Sequence, residues 1–318
     1  MRRPLALLAA VLALASPTAR AAEPLDLDLR KLGPPSAAIW AYTRCGAVCA
    51  PTAGELALAA DARTRFAMLS SELALSLSSA LLEPAATVGH SGFAFDLESA
   101  YTTVHKNVVG TTPPFPPAPG DYWPTRTKTP SGLLVPSFHV RKSFPYSLEL
   151  GGRLLYLSQS SYFAAQIHGK WAIQEGYAAI PDVALLAAHT IFLGQKDLDL
   201  SSTDLTLMTS KRFGVNAVMS VTPYLALRYL LVRASSGPLG YAPATATPAT
   251  VVAETAAFPS LSRSLYRTTL GARMTAFATT MAAELTWFGG SHSKASGDYA
   301  NSGLQSSLGG AFKLGFEF

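Results

Sequence analysis

Beyond its first two dozen residues the sequence has no run of about 20 consecutive apolar side chains, so no helix of the mature chain spans a bilayer. It is also poor in charge. Lys, Arg, Asp and Glu make up 14% of the residues and mean hydropathy is +0.23, where soluble domains carry about 25% charged residues. Cysteine is scarce too, with only Cys45 and Cys49 present. Two thiols with no His or further Cys beside them make a poor zinc set. Three intervening residues also argue against a redox dithiol, which normally has two. The expected pairing is a disulfide that staples a small loop in an oxidising compartment. The chain carries no Gly-x-Ser-x-Gly elbow, phosphate-binding glycine loop or His-Glu-x-x-His zinc motif. None of its six histidines (His90, His105, His139, His168, His189, His292) stands in a hydrolase spacing. These absences point away from an enzyme, and no cofactor is implied.

The N-terminus reads as a leader. Met1-Arg2-Arg3 is a short basic head, Pro4 to Ala15 an apolar run, and Ala19-Arg20-Ala21 a small-x-small cleavage site. Residues 1–21 are therefore expected to be a signal peptide. Its removal takes Arg2, Arg3 and Arg20 from a formal net charge of +5. The small excess that remains argues for no nucleic-acid partner.

What the sequence does have is period-two alternation. From Leu304 onward the even positions include Leu304, Leu308, Phe312, Leu314, Phe316 and Phe318, and the odd positions Gln305, Lys313 and Glu317. Such a segment is longer than the usual strand of about 5–6 residues and suits a tilted bilayer crossing of about 9–11. A last strand ending in Phe, with apolar residues at alternate positions before it, resembles the C-terminal assembly signal of bacterial outer-membrane β-barrel proteins. Here Phe312, Leu314, Phe316 and Phe318 carry that resemblance. It implies a porin-like or OmpA-like transmembrane barrel in the outer membrane of a Gram-negative bacterium. It also implies contact with outer-membrane lipids and lipopolysaccharide, and with the barrel assembly machinery through the final strand.

The alternation extends backward through the chain. Phe93, Phe95, Leu97 and Tyr101 oppose Asp96 and Glu98; Leu148, Leu150 and Leu154 oppose Glu149 and Arg153; Phe163, Ile167 and Trp171 oppose Gln166, His168 and Lys170. Leu225, Leu227 and Tyr229 oppose Arg228; Tyr266 and Leu270 oppose Arg267 and Arg273; Met281, Leu285 and Trp287 oppose Glu284. Leu133 to Lys142 is a further strand in which Pro136 needs an edge or a bulge. Val183 to Leu193 is apolar on both faces, and the change of phase between Leu198/Leu200 and Leu205/Leu207 calls for a bulge near Ser201-Ser202.

The expected fold is all-β: an antiparallel transmembrane barrel of about ten strands, with twelve as the alternative. It occupies residues 88–318 and is preceded by an N-terminal segment, 22–87, read as a periplasmic segment or plug carrying the Cys45–Cys49 disulfide. Within that segment Asp61 to Leu82 reads as a short helix passing into an extra strand or a plug. With Phe318 placed on the periplasmic side, the long connections 107–131, 234–262 and 289–303 fall together outside, as in bacterial barrels. The Pro-rich stretch Pro113 to Pro117, with Phe115, Tyr122 and Trp123, offers either a binding surface for a partner or lipopolysaccharide, or a stiffened loop.

Ten to twelve strands leave a narrow lumen. Asp96, Glu98, Glu149, Arg153, His168, Lys170, Arg228, Arg267, Arg273, Glu284 and Lys313 are the expected lumen-lining residues, with Glu317 beside them. Mixed signs there form either a structural network or the lining of a narrow pore or transporter for small solutes. A structural or ligand-binding barrel with a closed lumen, or a lipid-modifying enzyme of the outer membrane, are the alternatives.

Overall fold

In the computed structural model the alternation of faces closes on itself. The structure describes residues 23–46, 49–78, 80–105, 122–125, 130–177, 179–215, 218–242, 254–289 and 304–318. The expected leader 1–21 and the Pro113 to Pro117 stretch lie outside the described residues, as do parts of the long connections.

Thirteen strands are described. They are β1 (Phe93–Thr103), β2 (Gly132–Phe144), β3 (Leu148–Tyr156), β4 (Phe163–Gln174), β5 (Asp182–Leu193), β6 (Leu198–Ser210), β7 (Phe213–Gly214), β8 (Met219–Ser236), β9 (Leu239–Tyr241), β10 (Glu254–Ala256), β11 (Leu261–Ala276), β12 (Thr279–Phe288) and β13 (Ser307–Glu317). Ten of them pair antiparallel in the ring β1-β2-β3-β4-β5-β6-β8-β11-β12-β13. The ring closes where β1 pairs with β13, for example Leu97 with Leu314 and Glu98 with Lys313. Closure satisfies every strand edge, which is what a sheet in hydrocarbon requires. The residual β7 adds two residues to the foot of β8, and β9 and β10 form a small hairpin in the β8–β11 connection. The twelve-strand alternative is set aside, because residues 72–77 belong to a helix.

Along each strand one set of side chains points out and the next points in. Leu97, Leu150, Leu154, Ile167, Trp171, Leu227, Tyr266, Leu270, Leu285, Trp287 and Phe312 are exposed on the outer face. A continuous apolar wall of this extent is unstable in water and stable in lipid. No described helix is long and apolar enough to cross a membrane.

Two local readings need correction. No bulge interrupts β6, whose even residues from Leu198 to Ser210 all face inward. Leu198 and Leu200 are buried in the apolar core at the mouth, while Leu205 and Leu207 face outward. The phase is constant and it is the lumen lining that changes from apolar to polar. The register shift lies instead in β4, between Ala172 and Gln174. Pro136 needs no bulge either. It pairs with Ser99 of β1, and the β2–β3 register begins one residue later, at Ser137 with Leu155.

The N-terminal segment begins with a 3-10 turn, Leu29–Leu32, and α1, Ala37–Cys45. The expected disulfide Cys45–Cys49 is present. Next comes α2, Ala53–Leu77, a helix of 25 residues rather than a short one. Its start is fixed by a capping box: Thr52 accepts from the Glu55 backbone N–H, and Glu55 accepts in return from that of Thr52. Residues 66–77 of α2 are buried on every side.

The early part of the segment lies at the end of the barrel opposite Phe318, against Pro124 and the β3–β4 turn. The Leu25 N–H donates to the Gln159 carbonyl at 3.0 Å and the Asp28 N–H to the Pro124 carbonyl at 2.9 Å. From there the chain descends inside the barrel and turns into β1 at the Phe318 end, where Phe93 and Phe318 exchange backbone hydrogen bonds.

Candidate functional site

The lumen is the candidate site, and it is filled. At its mouth the buried Glu72 of α2 ties the helix to the β1–β2 connection. Its carboxylate accepts from the Trp123 indole N–H at 2.9 Å and from the His105 backbone N–H at 3.3 Å, and pairs with His105 Nδ1 at 2.9 Å. That bond holds the His105 imidazole above its ordinary value, although partial burial opposes it. Around Glu72 a core of Phe66, Leu69, Leu73, Tyr122, Leu133, Leu200 and Leu265 seals the barrel. The rings of Phe66 and Phe258 stack at 4.5 Å.

Below this seal the end of α2 is held by cations from the wall. Arg267 donates to the carbonyls of Leu75 and Ser78, at 3.2 and 2.9 Å, and to Asp204 at 3.1 Å. Asp204 also pairs with Arg228. Facing them, Glu284 accepts from the backbone N–H groups of Leu81 and Leu82 and from the Tyr224 hydroxyl. Leu81 and Ala85 pack on Ala172, Ala184, Leu186, Ala188, Met208 and Ala226. This contact explains why β5 is apolar on both faces: one meets lipid and the other meets residues 81–85.

Glu83 lies at the centre of the lower lumen. One carboxylate oxygen accepts from Lys170 at 2.7 Å and from Arg141 at 3.3 Å. Around it Lys170 pairs with Glu149 at 2.9 Å, Arg153 with Glu98 at 3.0 Å, and Arg141 with Asp96 at 3.1 Å. Lys313 reaches Asp96 at 3.3 Å, and Arg273 reaches Glu317 at 2.9 Å near the Phe318 end. In so buried a site each charge depends on its partners. Removing one partner of a buried pair typically costs about 3–5 kcal/mol. Between α2 and the wall a cavity of about 30 Å³ remains, room for about one water.

Every residue read from the sequence as lumen-lining is buried inside the barrel: Asp96, Glu98, Glu149, Arg153, His168, Lys170, Arg228, Arg267, Arg273, Glu284 and Lys313. Sequence reasoning missed His139, Arg141, Asp204, Tyr224 and Glu83. The signal for His139 and Arg141 was present in the odd phase of β2, obscured by Pro136. Asp204 lay where leucines on both phases hid the inward face. Glu83 carries no strand signal, because it belongs to the segment inside.

No protein-family model matches the chain, and no curated protein matches it. Among solved structures it is similar to Ail, the attachment invasion locus protein of Yersinia pestis, at 12% identity over 72% of this chain and 100% of that one, with a TM-score of 0.28. It is also similar to Neisserial surface protein A, at 9% identity over 72% of this chain and 98% of that one, with a TM-score of 0.27. Likeness at this level carries no argument about activity, and the assignment rests on the wall itself. A closed strand cylinder that turns leucine, phenylalanine and tryptophan outward and buries its charges within is built for lipid, and the chain folds as an antiparallel transmembrane β-barrel.

Proposed function

We propose that this chain is a non-enzymatic outer-membrane barrel held shut by its own N-terminal segment, with residues 66–88 acting as a plug. The observation that supports it is the filling of the lumen at three levels: the apolar seal around Phe66 and Leu69, the Arg267 and Glu284 contacts to the chain between 75 and 82, and the ionic cluster around Glu83. The narrow-pore reading of the lumen residues then applies only to a state in which the plug has withdrawn. In the closed state the same side chains serve as its sockets.

With Phe318 on the periplasmic side, α1 and the Cys45–Cys49 disulfide lie toward the outer end of the barrel, after a leader of residues 1–21 has been removed. The function of the closed barrel is then exercised at that outer mouth, in contact with lipopolysaccharide or a partner. Planar-bilayer recording of the refolded mature chain tests the closed state. Silence at moderate voltage is the expected result, and discrete current steps from the unmodified chain would overturn it.

A further inference from the structure

Within the lower lumen two histidines have ring nitrogens that the ionic network leaves unused. His139 of β2 and His168 of β4 are fully buried, with ring centroids 5.0 Å apart. Neither nitrogen of His168 has a hydrogen-bond partner, nor does His139 Nε2. Glu83 contributes a further atom without a hydrogen bond, Oε1, which lies 3.9 Å from an Arg153 guanidinium nitrogen. Lys170 and Arg141 share its Oε2, while Oε1 has no hydrogen-bond partner and stands 4.0 Å from His168 Nε2. The three residues each offer a ligand atom, and these atoms lie within 4.8 Å of one another. Buried polar atoms left unmatched are costly, and each calls for an explanation.

The backbone makes room for this cluster. His168 pairs in register with Gly151 of the intervening strand β3. A Cβ on Gly151 would come within 2.3 Å of the His168 ring. The glycine therefore lets the imidazole lie over β3 toward β2. His139 is oriented by Glu98, whose carboxylate lies 2.9 Å from Nδ1. A proton on Nδ1 leaves the lone pair on Nε2, as in the carboxylate–histidine–metal arrangement that fixes ligand tautomers. The carboxylates Glu83, Asp96, Glu98, Glu149 and Glu317 are matched in number by Arg141, Arg153, Lys170, Arg273 and Lys313.

We infer that His139, His168 and Glu83 form a divalent transition-metal site, with zinc the natural occupant, that staples the plug to the barrel wall. Two imidazole nitrogens and one carboxylate oxygen are a three-ligand zinc set with the fourth position left for water. Bringing the donors to about 2.0–2.2 Å from one ion asks only for a small inward closure of the triangle. Because Glu83 belongs to the inner segment, the inference rests on the plug reading. It adds a ligand that would make release of the plug depend on metal.

The test uses the tag-free mature chain, refolded in detergent, stripped with chelator, exposed to zinc and desalted. Bound zinc is then measured by mass spectrometry. About one zinc per chain is expected, falling to background in His168→Ala and in Gly151→Ala, with folding judged by heat-modifiable migration. Zinc retained equally by the double variant H139A/H168A would overturn the site, as would a wild-type chain that binds none. Should the variants not fold, cobalt added to the wild type decides. A visible tetrahedral d–d spectrum supports the site, and its absence sinks it. A chain silent in bilayers that binds no zinc would remove the site and leave the plug.

Discussion

The carboxylate of Glu284 on β12 accepts hydrogen bonds from the backbone N–H groups of Leu81 and Leu82, at 2.9 and 2.7 Å, and Leu82 stands at φ +51°. A leucine in the left-handed region is strained by roughly 1–2 kcal/mol. It persists because the wall fixes both amides. Glu284→Ala orphans those two amides and the Tyr224 hydroxyl, at about 1–3 kcal/mol for each buried group. The expected result is faster protease cleavage in 78–88 with the barrel still heat-modifiable. An unchanged cleavage rate would show that Glu284 does not hold the segment.

Asp204 bridges Arg228 and Arg267, and all three are buried. Asp204→Ala removes the carboxylate that the two guanidiniums share. A loss of about 3–5 kcal/mol in unfolding free energy is expected. Removing Asp204 together with Arg228 should cost less than the sum of the two single changes, because they form one network. Urea titration of the refolded variants measures both.

Two glycines give a matched contrast. A Cβ on Gly315 of β13 would sit 1.8 Å from Asp96 Oδ1 and 3.0 Å from the Phe95 carbonyl, so Gly315→Ala must break the β1–β13 seam or displace Asp96. A Cβ on Gly214 meets nothing within 4 Å. Gly315→Ala is expected to lower the yield of folded barrel sharply, and Gly214→Ala to shift stability by no more than about 0.5 kcal/mol. The ratio of folded to unfolded bands on a gel compares them.

His105 gives the mouth a pH dependence. Its contact with Glu72 raises its titration in the folded state, so its stabilising contribution is fully present below the unfolded value of about 6.5. The contribution is lost as pH rises through the higher folded value. The expected NMR midpoint of His105 lies above that of a free histidine, and Glu72→Gln should return it toward the ordinary value. A midpoint unmoved by that change would show that Glu72 is not the cause.

Most of the wall was legible because lipid outside and charge inside impose opposite chemistry on alternate residues. That contrast marks Glu149, Arg153, His168, Lys170 and Lys313 by position alone, and all five side chains are buried. It failed where the lumen is apolar. Ala184, Leu186 and Ala188 of β5 pack on Leu81 and Ala85, so both faces read alike. Leu198 and Leu200 at the mouth imitated a bulge for the same reason. The length of α2 was hidden because Phe66 to Leu77 is buried all round, which leaves no amphipathic stripe to read. Glu83 could be placed only by the fold, since its partners Arg141 and Lys170 come from separate strands.

Paired single-channel recording of the full mature chain and of a chain beginning at residue 89, both refolded in the same detergent, tests the plug most directly. The account predicts silence from the full chain and discrete current steps from the shortened one, whose lumen would expose Arg141, Arg153 and Lys170. Equal conductance from the two chains would contradict it.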